Sequence, residues 1–244
     1  MKNKRKTFFI SDLHLNECET PITQNFLALL EKCNENIDAL YILGDLFEMW
    51  IGDDDLTPFH QTIMQALKRT SIKTPIYFIP GNRDFLIGKK FLQSSSCQLL
   101  QDETKIELYG TPVLLMHGDT LCTQDTAYLK WRTISHHLII RALYLSLPLQ
   151  IRKLIAHHVR NKSKSYAQKK SKIMMDVTKS AVQYVMNKHQ TNYLIHGHTH
   201  QPAIHQENSS QTRIVLGAWH EKCSVLIWNE DREIIMATTI KDLI

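Results

Sequence analysis

Five short polar motifs rich in histidine, aspartate and asparagine are spread along the chain. They are, in order, Asp12-Leu13-His14, Gly44-Asp45, Gly81-Asn82-Arg83-Asp84, His117-Gly118-Asp119 and Gly197-His198-Thr199-His200. A mixture of nitrogen and oxygen donors suits Mn²⁺, Fe or Zn²⁺ and needs no thiolate. Any one of these motifs occurs often by chance, but all five in this order indicate a metal site.

The motifs supply seven candidate metal ligands, namely Asp12, His14, Asp45, Asn82, His117, His198 and His200. Two divalent cations about 3.5–4 Å apart need a shared carboxylate, and Asp45 is the candidate for that bridge. Asp84 and Asp119 are expected to orient the ligands instead of binding metal themselves. His196, directly before the glycine of the last motif, is predicted to be structural.

A short apolar or β-branched run precedes each motif and predicts a buried strand that ends in a loop. Helical patterns at 24–35, 58–69 and 177–188 alternate with these runs, which cover 7–10, 39–43, 76–79, 113–116 and 193–195. The alternation predicts an α/β fold whose motif loops meet at the carboxyl ends of the strands. Three apolar runs in the tail, at 213–216, 224–228 and 233–238, are expected to complete a second sheet.

The length of 244 residues and an apolar content of 43% predict one domain over residues 1–244. Residues 121–172 interrupt the alternation and are predicted to form a helical lid inserted in that domain. One helical face there is apolar, with Leu138, Ile139, Ala142, Leu143, Leu145 and Leu149. Alone, this face would suit a core helix, but its place beside the site and among cations favours a lid for an amphipathic substrate.

The net charge of +5 is unevenly distributed along the chain. Residues 126–175 contain no Asp or Glu and carry +11, which leaves −6 for the remainder. A basic segment on an acidic body predicts contact with phosphate, nucleic acid or an anionic membrane surface. The plainer alternative is a solvated basic surface, although such faces usually mix both signs.

Cysteine usage and hydropathy predict a cytoplasmic protein. The five cysteines include no C-x-x-C pair, and their odd number argues against a closed disulfide framework. The apolar run near the N-terminus is too short for a signal peptide. No run of about 18 apolar residues is present, so no membrane-spanning helix is expected.

The five motifs together resemble the calcineurin-like metallophosphoesterases, whose pattern is D-x-H, G-D, G-N-H-[DE], a further His and G-H-x-H. The resemblance implies an α/β four-layer sandwich, with two packed β-sheets flanked by helices. It assigns Asp45 to both of two ions, with Asp12, His14 and His200 on the first and Asn82, His117 and His198 on the second. It further implies that a metal-bound hydroxide attacks phosphorus in line. The predicted catalytic residues are Asp45, Asn82, Arg83 and His117.

The chain departs from the superfamily pattern at Arg83, where the superfamily usually has a histidine that protonates a poor leaving group. Arginine cannot act as that acid, but its planar fork can neutralise phosphate oxygens. A phosphate leaving group needs no proton, so Arg83 favours cleavage of a pyrophosphate bond.

Nearly the whole chain is similar to the UDP-2,3-diacylglucosamine pyrophosphohydrolases of lipid A biosynthesis. The stretches that carry this similarity are 41–48, 50–55, 81–86, 116–122, 195–200 and 216–220. The family reaction implied is hydrolysis of UDP-2,3-diacylglucosamine to UMP and 2,3-diacylglucosamine 1-phosphate, by attack at the uridylyl phosphorus and with Mn²⁺ as the usual metal. The partners implied are this nucleotide-activated lipid and the cytoplasmic face of the inner membrane, with peripheral association and no nucleic acid.

The same resemblance implies a set of substrate contacts, at Asn82, Arg83, Asp125, Ser163, Lys170 and His198, with Arg160 as a further phosphate partner. Ala167 stands where the family commonly has Asn, a loss for which Gln168 is a candidate to compensate.

Two other functions use the same motifs. A nuclease or nucleotide phosphodiesterase would share the metal core, but a strand-binding groove favours aromatic residues among the cations, and residues 138–149 are mainly aliphatic. A non-catalytic scaffold usually lacks metal ligands, and none of the seven is missing here.

Overall fold

The computed structural model describes residues 4–18, 20–33, 36–169, 176–220 and 222–243. Within these residues two mixed β-sheets pack against each other, and helices cover their outer faces. The first sheet has the strand order β11-β10-β1-β2-β3-β4, and the second has the order β5-β6-β7-β9-β8. This arrangement confirms the α/β four-layer fold predicted from the motifs.

The strands of the first sheet are β1 Lys6–Ile10, β2 Ile37–Leu43, β3 Ile76–Ile79, β4 Gln98–Leu99, β10 Val225–Asn229 and β11 Ile234–Ala237. Those of the second sheet are β5 Thr104–Leu108, β6 Thr111–Leu115, β7 Tyr193–His196, β8 Ala203–Gln206 and β9 Thr212–Val215. The helices are α1 Thr20–Lys32, α2 Pro58–Ser71, α3 Lys89–Ser95, α4 Thr126–Ser135, α5 Leu138–Ser146, α6 Leu149–Lys169 and α7 Lys179–His189.

Alternating side chains on the strands build the layers. On β1, Phe8 packs with the cluster beneath α1 and α2, whereas Phe9 packs with residues of both sheets, including Ile195 on β7 and Trp228 on β10. A separate cluster, which includes Met186, joins the outer face of β6 and β7 to α7. The period-2 alternation of a buried strand therefore fills both core layers from one short sequence.

The prediction for the tail was partly wrong. Strand β9 belongs to the second sheet, but β10 pairs antiparallel with β1, and β11 pairs antiparallel with β10. The chain thus returns to the first sheet and covers the free edge of β1. An apolar run shows that a strand is buried without showing which edge it joins.

Helices α4, α5 and α6 lie within the segment predicted to be a lid. Basic side chains of these helices form ion pairs with acidic residues of the rest of the chain. Part of the positive charge of the segment is therefore neutralised within the protein. Arg132 pairs with Asp102 and Asp119, and the other pairs are Arg152 with Asp54, Lys153 with Asp55, and Arg160 with Glu48.

Arg152 anchors this segment most firmly, because its side chain is buried. Its guanidinium donates to the carbonyl oxygens of Ile51 at 2.7 Å and Leu147 at 3.1 Å. The ion pair to Asp54 completes its contacts and raises the pKa of Arg152 further.

The exposed side of this segment is apolar. Leu138 is 78% exposed and Leu143 60% exposed, and no residue of α5 is buried. The apolar stripe of α5, formed by Leu138, Ile139, Ala142, Leu143 and Leu145, is therefore not part of the core. Among the described residues, no helix combines the length and the apolar character needed to cross a bilayer.

Candidate metal centre

Backbone pairing continues beyond the ends of β1 and β2 and aligns the first two motif loops. The Asp12 amide donates to the Gly44 carbonyl and the His14 amide to the Asp45 carbonyl, both at 3.0 Å. Leu15 then forms a parallel bridge with Phe47. Because adjacent parallel strands end at the same sheet edge, residues separated by about thirty positions lie side by side there.

One group of candidate ligands surrounds Asp12. The Nε2 atom of His200 lies 3.3 Å from Asp12 Oδ1 and 3.2 Å from His14 Nε2. Ligand atoms of Asp12, His14 and His200 all lie within 4.8 Å of one another, so these three residues could hold one cation together.

A second group surrounds Asn82. Its Oδ1 atom lies 3.1 Å from His117 Nε2 and 3.0 Å from His198 Nδ1. Asp45 Oδ1 lies 3.8 Å from the same His117 nitrogen, and Asp45 Oδ2 lies 4.0 Å from His14 Nδ1. Asp45 therefore stands between the two groups, where a bridging carboxylate would have to be.

The backbone at these ligands is strained. Five of the seven candidates have positive φ, from 51° to 68°, which non-glycine residues seldom adopt, and they are Asp12, His14, Asp45, His198 and His200. Such strain concentrates at functional sites, where the surrounding fold enforces it. Gly81 contributes by its small size, because a side chain there would collide with the Asp45 carboxylate.

Hydrogen bonds from outside the cluster orient the ligands. The Leu43 carbonyl lies 2.9 Å from His117 Nδ1, so an N–H donated there leaves Nε2 free to bind a cation. Asp12 Oδ2 accepts from the Ser11 hydroxyl at 2.5 Å. Asp84 accepts from the backbone amides of Leu46 and Gly81, both at 2.7 Å, and so ties two motif loops together.

Two further predictions concern residues near the ligands. Asp119 accepts hydrogen bonds from the Tyr128 hydroxyl and from Arg132 Nε, the latter at 2.6 Å. His196 is buried, and its Nδ1 lies 2.9 Å from the Gly197 carbonyl. The supporting roles of both residues stay predictions.

The buried carboxylates of the site favour a positive charge among them, as the pKa of His117 indicates. Burial lowers the pKa of His117, but the carboxylates of Asp45, Asp12 and Asp119 outweigh this and raise it to about 9. Burial raises the pKa of Asp45, with His117 and Arg83 acting in the opposite direction. A buried group of carboxylates therefore needs cationic charge, which divalent metal ions would supply.

A further observation supports the fit of these residues to metal ions. Asp12 Oδ1 is buried, and no described residue meets hydrogen-bonding geometry with it, although His200 Nε2 lies 3.3 Å away. A buried carboxylate oxygen without a donor is costly unless a cation compensates it. With the nitrogens of the four candidate histidines and the Asn82 oxygen nearby, the residues present fit a pair of divalent cations.

Two of the predicted substrate residues, Arg83 and Arg160, lie near this site. Arg83 Nε lies 3.7 Å from Asp45 Oδ2, and Arg160 of α6 reaches the same region through its ion pair with Glu48. Asp125 caps α4 by accepting from the Tyr128 amide at 3.0 Å, and Ser163 is exposed on α6. Lys170, and the side chains of Ala167 and Gln168, lie outside the described residues.

Three residues near the site had no assigned role in the sequence-based prediction, namely Glu48, Tyr128 and Arg132. Glu48 lies between His14 and both predicted phosphate-binding arginines, whereas Tyr128 and Arg132 hold Asp119. Tyr128 and Arg132 are spaced four apart on α4, which is the one sequence signal that they share a helix face.

A calcineurin-like phosphoesterase family model matches residues 5–202. The chain belongs to this family. Among curated members, the UDP-2,3-diacylglucosamine hydrolases of Shigella dysenteriae serotype 1 (strain Sd197) and Escherichia coli O157:H7 (strain EC4115) are each 50% identical over 234 residues, covering 94% of this chain and 98% of theirs. A solved archaeal phosphodiesterase matches with a TM-score of 0.48 at 13% identity, covering 96% of this chain and 99% of that chain.

Proposed function

We propose that the chain hydrolyses the pyrophosphate bond of UDP-2,3-diacylglucosamine to UMP and 2,3-diacylglucosamine 1-phosphate. The observation that carries the proposal is 50% identity over 94% of the chain to hydrolases named for this substrate. The site supports it, since the seven candidate ligands converge and lie beside two arginines suited to phosphate oxygens.

Two divalent cations, which we propose to be Mn²⁺, would bind phosphate oxygens and activate water there. Asp12, His14 and His200 would hold one ion, Asn82, His117 and His198 would hold the other, and Asp45 would be shared by both. The Leu43 carbonyl and the Ser11 hydroxyl fix the orientation of His117 and Asp12 respectively. The ligands are thereby held in place before substrate arrives, which reduces the reorganisation that the reaction requires.

Arg83 and Arg160 would bind the diphosphate, with Asp125, Ser163 and Lys170 as further substrate contacts. Both guanidinium groups face Glu48 in the structure, at 3.8 Å from Arg83 Nη1 and in a close ion pair with Arg160. Arg83 replaces the usual imidazole acid of the superfamily, so the leaving group must be stable without a proton. A sugar phosphate meets that condition, whereas a simple alkoxide does not.

The exposed apolar stripe of α5 would accommodate the acyl chains or rest on the membrane that contains them, and helices α4 to α6 would then act as a lid. Apolar residues of α6, including Leu154 at 72% exposed, extend the same kind of surface. Basic residues nearby would favour an anionic membrane face. We therefore propose a cytoplasmic protein that associates peripherally with the inner membrane and binds no nucleic acid.

Product analysis tests the proposal. Purified protein, first stripped of metal and then reloaded with Mn²⁺, is incubated with UDP-2,3-diacylglucosamine, and the nucleotide and lipid products are identified by mass spectrometry. We expect UMP and the 1-phosphate lipid in equal amounts and little product without metal. Rapid cleavage of DNA or cyclic nucleotides together with an intact lipid substrate would favour the phosphodiesterase alternative instead.

A further inference from the structure

Glu48 occupies a fixed position beside the metal centre, although it is not one of the motif residues. Its backbone amide donates to the Leu15 carbonyl at 3.0 Å, directly after the bridge between Leu15 and Phe47. This pairing places Glu48 next to the turn that carries His14. The two side chains are therefore neighbours because of the backbone, and not because of a chance rotamer.

The carboxylate of Glu48 contacts three functional groups at once. Its Oε2 atom lies 3.5 Å from His14 Nδ1, and its Oε1 atom lies 3.8 Å from Arg83 Nη1 and forms the ion pair with Arg160. The His14 ring presents its other nitrogen, Nε2, to the ligand cluster. Glu48 thus contacts the candidate metal ligand His14 through Nδ1, and it also contacts Arg83 and Arg160, the two predicted phosphate-binding residues.

Within the described part of the chain, the Nδ1 atom of His14 has no hydrogen-bond partner. His14 Nδ1 is buried, and no described residue meets hydrogen-bonding geometry with it. Of the two carboxylates that face it, Glu48 at 3.5 Å is nearer than Asp45 at 4.0 Å. A small side-chain rotation of Glu48 would complete the carboxylate–histidine–metal arrangement that fixes the ring and increases its basicity toward a cation.

A carboxylate at this place is costly for an enzyme whose substrate is a diphosphate, because like charges repel. Simple electrostatics would favour a neutral residue next to Arg83 and Arg160. The presence of Glu48 is explained if the positioning of its three neighbours outweighs the repulsion. Arg83 supports this view, because it lies between two carboxylates, Glu48 on one side and Asp45 on the other.

We propose that Glu48 is a positioning residue that orients His14 for the first metal ion and holds Arg83 and Arg160 until the substrate phosphates replace it. The inference rests on the two-metal function proposed above. It adds that the first metal site and the phosphate-binding arginines are coupled through one side chain.

Metal titration of the stripped protein tests the first part without any substrate. In calorimetric titrations with Mn²⁺, Glu48→Gln should weaken one of the two sites by about 10–100-fold, the usual effect of losing such a partner. The other site, formed by Asn82, His117 and His198, should keep its affinity. Because no turnover is measured, this result is independent of whether UDP-2,3-diacylglucosamine is the substrate.

Asp55→Asn is the matched control. Asp55 is also a carboxylate that ties α6 to the body, through Lys153 at 2.7 Å, but it is not among the carboxylates that face His14. It should leave both metal affinities unchanged. Equal weakening by Glu48→Gln and Asp55→Asn would show that only the tethering of α6 matters, and unchanged affinities in Glu48→Gln would overturn the proposal.

A double-mutant cycle tests the coupling to Arg83. With saturating Mn²⁺, Glu48→Gln should lower kcat by about tenfold in the wild-type background, and clearly less in the Arg83→Ala background, because the group that it positions is then absent. Additive effects would contradict a positioning role toward Arg83. Unfolding midpoints of all variants establish that they fold, so that a lost affinity is not a lost structure.

Discussion

The Oδ2 atom of Asp12 accepts a 2.9 Å hydrogen bond from the backbone N–H of His198, although 186 residues separate them in sequence. The loop after β1 is thereby fastened to the loop after β7, which belongs to the other sheet. Asp12 is thus both a candidate ligand and the joint between the two halves of the site. Since both loops are held by backbone contacts, the ligands converge without relying on flexible side chains.

Loss of the bridging carboxylate should abolish turnover. Asp45→Asn removes the charge that two cations would share, and we expect kcat to fall at least about 10³-fold, equivalent to several kcal/mol of transition-state stabilisation. The measurement is steady-state hydrolysis with excess Mn²⁺, accompanied by metal analysis of the purified variant. Near-normal turnover with two bound ions would reject the bridging role.

Substitutions in the apolar stripe of α5 should affect substrate binding and not folding. Ile139 and Leu143 are 64% and 60% exposed, so Ile139→Ser and Leu143→Ser remove little buried area. We expect KM for the diacylated substrate to rise, with metal affinity and the unfolding midpoint retained. Ile72→Ser is the matched control, because Ile72 is 80% exposed and directly follows the C-terminal residue of α2.

A fall in the unfolding midpoint of the α5 variants would instead assign the stripe to the fold. Detergent or vesicles should also increase wild-type activity if the stripe meets lipid, and this effect should be smaller in the α5 variants than in Ile72→Ser. Unchanged kinetics in all these experiments would refute the lid.

His136 should make the fold less stable as the pH falls. Its ring stacks on Phe85 with centroids 4.3 Å apart, and burial, followed by the charge of Arg132, lowers its pKa to about 4. The unfolded chain binds a proton near pH 6.5, but the folded chain does not, so stability is lost between about pH 6.5 and 4.

The variant His136→Phe keeps an aromatic ring on Phe85 but cannot take up a proton. Its unfolding midpoint, measured with metal present, should therefore fall less between pH 7 and 5 than that of the wild type. His158→Phe, on an exposed position of α6, should retain the wild-type pH dependence. If His136→Phe is as acid-sensitive as the wild type, another group is responsible.

The sequence was most informative where several buried strands end in polar loops. Runs such as 76–79 and 113–116 lie in the core, and Ile76–Ile79 was predicted with its observed bounds. Edge strands gave a weaker signal, because both residues of β4 and most of β8 are exposed and carry no apolar pattern. Strands of this kind form through pairing with neighbours that are distant in sequence.

The motifs predicted which residues are candidate ligands, but they did not predict the ion pairs that hold the neighbouring residues in place. Glu48 and Arg160 are 112 positions apart, and no local pattern pairs them. The same holds for the buried Arg152 and its partners around Ile51 and Asp54, which fasten α6 to the body. Such charge pairs depend on the three-dimensional position of an inserted segment, and composition showed only that its charge was unbalanced.

We expect Arg83 to determine which leaving groups the enzyme can expel. Its side chain is 23% exposed, and its guanidinium faces the Asp45 and Glu48 carboxylates, so it is placed to bind phosphate oxygens and cannot donate a proton as an imidazolium does. We expect cleavage of the diphosphate and failure on simple alkyl phosphate monoesters. Arg83→Ala should slow the diphosphate reaction by roughly 10²–10³, the effect of losing one strong charge-stabilising donor.

The superfamily-like variant Arg83→His provides the contrasting control. It should lose most of the diphosphate reaction, because the planar fork is gone, while gaining slight activity on poor leaving groups. Hydrolysis in oxygen-18 water then locates the bond that forms, since attack at the uridylyl phosphorus places the label in UMP. Label in the lipid product would overturn that orientation, and efficient wild-type cleavage of alkyl monoesters would contradict the role assigned to Arg83.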